Sequence, residues 1–79
     1  MEWGDRQLSG DPKAAVYILE KLTGESLSVI EFEELSCRVA RLEEGGGKPD
    51  LELSSALHEL STTAQYFVGL RAGYLLREN

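Results

Sequence analysis

Cysteine occurs once in this chain, at Cys37, and histidine once, at His58. A single thiol excludes an internal disulfide and a cysteine-based metal cluster, and it suits a reducing, cytoplasmic compartment. No apolar run approaches the 18 or so residues needed to cross a bilayer. The first residues (Met1, Glu2, Trp3, Gly4, Asp5, Arg6) lack the basic stretch and apolar run of a secretory signal. Basic side chains are scarce as well: eight Lys and Arg stand against fourteen Asp and Glu, for a net charge of -6. That balance disfavours direct binding to a phosphate backbone, whose affinity comes mainly from clustered Lys and Arg.

What is present is enough for a small core. Apolar residues make up 42% of 79 residues, too many for a disordered chain and near the lower limit for a domain without staples. The charge is unevenly placed. Residues 24–59 carry nine acids and three bases, whereas residues 60–79 carry one acid and two bases. An acidic middle is therefore followed by an apolar, nearly neutral end.

The spacing of apolar residues predicts an all-α protein of three helices, built on an antiparallel helical hairpin with a long C-terminal helix. Residues 1–10 read as a flexible N-terminal arm with Trp3 as its one large apolar group, and 11–79 as a single helical domain. Asp11-Pro12 opens the first helix, over 12–22, because aspartate caps well and proline at the first turn lacks a donor that would go unused. Its buried stripe is Ala15, Val16, Ile18, Leu19 and Leu22, and Gly24 is its stop. Ser28 and Glu31 form a capping-box pattern for a helix over 29–44, with Leu27 and Phe32 placed as a hydrophobic staple. Phe32, Leu35, Val39 and Leu42 recur at helical spacing, and Glu34 and Arg38 stand four apart in the favourable order. Gly45-Gly46-Gly47 and Pro49 end it.

The third helix is expected over 51–76, roughly 39 Å of rod at 1.5 Å per residue. Leu53, Leu57, Leu60, Ala64 and Phe67 follow one another at four, three, four and three, forming a seam for the second helix. Beyond Tyr66 the apolar set widens around the circumference, so this helix should project past its partner and expose more apolar surface than the first helix covers. Gly69 and Gly73 stand four apart in that region. Each costs about 1 kcal/mol of helix propensity relative to alanine, which suggests that another backbone approaches there.

Catalytic and metal chemistry find little support. Ser54 or Ser55 with His58 lacks the glycine elbow of a nucleophilic serine. A zinc site from Cys37 and His58 would need two further ligands with no spacing to recommend them. Cys37 reads as a small buried hydrophobe and His58 as a surface histidine. Gly45-Gly46-Gly47-Lys48 follows a helix rather than a strand and lacks the Ser or Thr of a phosphate-binding loop. No catalytic residue, cofactor or metal is expected.

Arg41-Leu42-Glu43-Glu44-Gly45, followed by Leu51, Leu53, Ala56 and Leu57, resembles the small subunit of bacterial exonuclease VII, with a longer glycine loop here. Leu35-Ser36-Cys37 and Pro49 with Leu53-Ser54-Ser55 resemble the small gamma-tubulin-ring adaptor proteins, with the spacing slipped. Neither family is assigned on these fragments. Both resemblances imply a small helical subunit attached to a larger partner.

The expectation is a non-enzymatic protein-protein interaction module: a small acidic subunit, adaptor or inhibitor that binds a larger, basic-surfaced protein, self-associates, or both. Tyr66, Phe67, Gly69, Leu70, Gly73, Tyr74 and Leu75 are the expected contact residues. Glu31, Glu33, Glu34, Glu43 and Glu44 form the expected acidic steering surface. The alternative is nucleic-acid-related regulation. A DNA-mimic inhibitor would use those carboxylates, and a helix-turn-helix-like module would bring Lys13, Lys21, Arg71 and Arg77 to one face.

Overall fold

The chain's computed structural model describes residues 10–78, with the side chain of Glu78 excepted. The N-terminal arm with Trp3 lies outside the described residues, apart from Gly10. Among the described residues the protein is all-helical: α1 is Pro12–Thr23, α2 Val29–Glu44, α3 Leu51–His58 and α4 Thr62–Glu78.

The first two helices start where the sequence places them, for the reasons it suggests. The Asp11 carboxylate accepts the backbone N–H of Lys13 at 3.0 Å, with Pro12 following in the first turn. Gly24 closes α1 with φ +73°, a left-handed conformation that glycine adopts without a Cβ penalty. Ser28 Oγ accepts the N–H of Glu31 at 3.0 Å and so opens α2. After α2, the N–H of Gly47 reaches back to the Leu42 carbonyl at 2.7 Å while Gly46 and Gly47 both take positive φ. Asp50 then caps α3 by accepting the N–H of Leu53 at 2.9 Å.

The single helix predicted over 51–76 is two helices, and this is the main correction to the sequence reading. The chain turns at Glu59, Leu60 and Ser61. Ser61 Oγ accepts the N–H of Ala64 at 3.2 Å and its carbonyl accepts from Gln65 at 3.0 Å, so Ser61 starts a new helix. The Gln65 side-chain amide donates to the Leu60 carbonyl at 3.0 Å and ties the corner. The reason is local: a serine cap followed by Thr62 and Thr63 suits a helix start better than a helix interior. A straight rod of roughly 39 Å would also outrun the molecule, whose longest extent is 32 Å.

The turn changes what packs where. α2 lies chiefly against α4, with α1 packed on both, and α3 touches α2 more lightly. The core is drawn from Ala15, Val16 and Leu19 of α1, Leu27 of the linker, Phe32 of α2, and Ala64, Phe67 and Val68 of α4. On α2 the buried positions are Phe32, Ser36 and Ala40, so the helix is rotated relative to the predicted Phe32, Leu35, Val39, Leu42 stripe. Leu35, Val39 and Leu42 are half-buried beside it. Leu22, predicted to be inside, is 66% exposed. Because α4 returns to the core, the bare C-terminal overhang expected from a long third helix does not form: Val68, Arg71 and Ala72 are buried, and Leu75 and Leu76 are half-buried.

Candidate functional site

α4 is the element on which most of the predicted contact residues sit, and the fold divides them. Ala64, Phe67, Val68, Arg71 and Ala72 face inward. Phe67, at 5% exposure, belongs to the core and leaves no free side chain for a partner. Leu70 is half-buried and packs against the same core. Tyr74 and Leu75 are also half-buried. The Tyr74 ring stacks near the Arg71 guanidinium, 5.2 Å from ring centroid to cation, and the start of the described chain at Gly10 approaches the same ring.

The outward side of α4 carries Thr62, Tyr66, Gly69 and Gly73, spaced four, three and four and therefore on one face. Tyr66 is 57% exposed, Gly69 is exposed and Gly73 half-exposed. A Cβ placed on either glycine would meet nothing within 4 Å among the described residues. The close approach that the two glycines suggest is therefore not made by the described part of this chain.

The acidic set also divides. Glu31, Glu34, Glu43 and Glu44 are exposed. Glu33 instead accepts two hydrogen bonds from Arg71, Nε to Oε1 at 2.6 Å and Nη2 to Oε2 at 3.2 Å. This bidentate fork joins α2 to α4, and Arg71 is only 8% exposed. Glu33 is thus a structural partner rather than a free steering charge. Arg71 in turn is removed from any basic face made with Lys13, Lys21 and Arg77. Twelve residues of helix, about 18 Å, separate Glu31 from Glu43, so the remaining acids sit at opposite ends of α2.

At the N-terminal end of α2 those acids edge a groove of about 290 Å³. Leu27, Leu35, Ala56 and Leu60 line it, with Glu31, Glu34 and Glu59 around them and Arg38 at one side. Glu59 joins this rim only because the chain turns there, and no local pattern in the sequence marks it. Arg38 does not pair with Glu34, as the four-residue spacing suggests; it meets Asp50 at 3.2 Å. The N–H of Leu53 does most to hold the Asp50 carboxyl below the usual aspartate range; desolvation opposes it, and the hydrogen bond and charge of the Arg38 guanidinium add to the lowering.

His58 is exposed at the last turn of α3. Cys37, expected inside, is half-exposed and lines a shallow surface hollow with Glu33, Glu34, Arg38 and Arg41. Among the described residues no three His, Cys, Asp or Glu side chains are grouped to hold a metal ion. No helix among them is long and apolar enough to cross a membrane. Comparison with known proteins finds no match to a family model, to a curated protein or to a solved structure.

Proposed function

We propose that this chain is a non-enzymatic protein-interaction module, a small acidic helical subunit, adaptor or inhibitor. Its outward α4 face, Tyr66 with Gly69 and Gly73, packs closely on a helix of another protein or of a second copy. One observation carries the reading. Two glycines stand in the interior of α4, each at a cost of about 1 kcal/mol relative to alanine, and nothing described in the chain fills the space above them. A local cost without an internal return is what a contact face shows when its partner is absent. Glycines let two helix backbones approach closely, and an exposed tyrosine at the edge of such a face supplies large contact area at low entropy cost. The exposed Glu31, Glu34, Glu43 and Glu44 favour a basic partner surface.

The test uses the two effects of one substitution, which have opposite signs. Gly69→Ala and Gly73→Ala together should stabilise the isolated chain by about 1–2 kcal/mol. They should also weaken association, because the added methyl groups hold the opposing backbone away. Sedimentation at several concentrations, alone and with proteins co-purified from the native cell, reads the association. Melting reads the stability. Double-alanine protein that is more stable and associates as well as the parent would sink the proposal.

Direct nucleic-acid binding through a helix-turn-helix-like face finds no comparable support. Arg71 is engaged with Glu33, so the four cations that direct binding requires are not all free to meet a phosphate backbone.

A further inference from the structure

We infer that the groove between the start of α2 and the α3–α4 corner is a second docking site, for an amphipathic segment of another protein in which leucine-like side chains are flanked by Lys or Arg. The inference rests on the reading of this chain as a protein-binding module, but it uses a surface separate from the outward face of α4.

The floor of the groove is apolar and its edges are acidic. Leu27, a buried linker residue, and half-buried Leu35, Ala56 and Leu60 supply its apolar lining. Three exposed carboxylates, Glu31, Glu34 and Glu59, surround this floor. The one cation at its side, Arg38, is already paired with Asp50. Among the described residues no ion pair engages the three rim acids. Ile30 is exposed four residues before Glu34 and extends the apolar surface along the same side of α2.

These features select among occupants. A volume of about 290 Å³ lies at the lower edge of the range of small-molecule sites, roughly 300–1,000 Å³, and has room for one or two inserted side chains. The polar groups at the groove are three carboxylates and an already paired Arg38, a set that favours cations over anionic metabolites. Nucleic acid and anionic lipid surfaces are repelled by the rim. A second copy of this chain is a poor fit: Lys13 and Lys21 on α1 are accompanied by Glu20, and each copy carries a net charge of -6. A basic amphipathic helix fits all three constraints, setting apolar side chains into the floor and cations over the carboxylates.

The test is an NMR titration of the full chain with three synthetic peptides of one length: an amphipathic Leu/Lys helix, the same pattern with Glu for Lys, and the same pattern with Ser for Leu. The inference expects only the Leu/Lys peptide to bind, with the largest shifts at the amides of Leu27, Leu35, Ala56 and Leu60. Glu31→Gln, Glu34→Gln and Glu59→Gln together should weaken it about tenfold, as expected for three exposed charge pairs. The bond that opens α2 runs from the backbone N–H of residue 31 to Ser28 Oγ and is kept in the Gln variant, so folding should be unaffected. Glu20→Gln, Glu43→Gln and Glu44→Gln change the net charge equally and should weaken it about twofold or less. Equal effects of the two triple variants, equal binding by the Ser/Lys peptide, no binding by the Leu/Lys peptide, or shifts centred elsewhere would each overturn the inference. The Gly69→Ala, Gly73→Ala variant should bind the peptide like the parent. Loss of binding there would move the site to α4 and overturn the groove while leaving the α4 reading intact.

Discussion

Two neighbouring carboxylates in the first half of α2 do opposite work, and the difference lies in what each one touches. Glu33 neutralises a guanidinium that the fold holds at 8% exposure. Removing that carboxylate would leave Arg71 without this partner in a largely dry position, which is where loss of one member of a pair is costly. Glu33→Gln is therefore expected to destabilise the chain by about 2 kcal/mol, whereas Glu34→Gln, one residue on and exposed, should change stability by less than about 0.5 kcal/mol. Urea melts of the two variants make the comparison. If they are equal, the fork between α2 and α4 contributes nothing. Asp50 shows its effect through pH. Its carboxyl is held below the ordinary aspartate range by the Leu53 N–H and the Arg38 guanidinium, so the folded state favours the charged form. The resulting stabilisation is full above the unfolded value of about 3.9 and fades as pH falls through the lower folded value. Asp50→Asn keeps a capping side chain but removes the titration. Melting across that acid range should show a parent that loses stability more steeply than the variant. Parallel curves would remove Asp50 from the acid response.

At the scale of elements, the corner at Ser61 decides the architecture. The two alternatives predict opposite signs for one substitution. If Ser61 caps α4, Ser61→Ala costs about 1 kcal/mol and lowers the melting temperature by roughly 4–8 °C. If residues 51–76 were one helix, the same change would place the best helix former in a helix interior and stabilise it by a few tenths of a kcal/mol. Thermal melting of this variant gives the sign. The sequence conceals the corner for a physical reason. Leu57, Leu60, Ala64 and Phe67 all point at one core from both sides of the turn, so their apolar spacing continues unbroken through it. Capping chemistry was legible at Asp11 and Ser28 because a turn or glycine breaks the periodicity before each. It was legible at Ser61 too, as Ser-Thr-Thr, but only to a reader who ranks caps above spacing. Ser36 was absent from the expected buried stripe of α2 for a different reason. It is fully buried and its Oγ donates to the Phe32 carbonyl at 2.7 Å, so a residue type normally assigned to the surface is satisfied inside. The site was harder still. The Glu33–Arg71 fork joins positions 38 apart in sequence, and Glu59 reaches the groove rim only through the turn. Neither relation leaves a trace in local pattern, whereas Tyr66, Gly69 and Gly73 did, through helical spacing alone.

The whole molecule should respond to salt in two directions, which would separate the two proposed contact surfaces. The described residues span 32 × 27 × 20 Å, and the chain's net charge is -6. At 10 mM salt the Debye length is about 30 Å, comparable to the molecule, so two copies repel as whole charges; at 150 mM it is about 8 Å and the repulsion is nearly gone. With charge centres roughly 25 Å apart in water, the screened repulsion falls by about 2 kcal/mol between these conditions, a change on the order of thirtyfold in affinity. Among the described residues the outward α4 face carries Tyr66 and two glycines and no acid, with exposed Arg77 one turn beyond Gly73, so no like-charged carboxylate on that face adds to the repulsion. Self-association through α4 should therefore strengthen as salt rises. Binding of a basic segment in the groove should weaken over the same range, because screening removes the attraction of Glu31, Glu34 and Glu59. Sedimentation of the chain alone and titration with the Leu/Lys peptide, both at 10 and 150 mM salt, read the two trends side by side. Self-association that weakens with salt would mean that charged groups hold the copies together, and the Tyr66, Gly69 and Gly73 patch would then not be the contact.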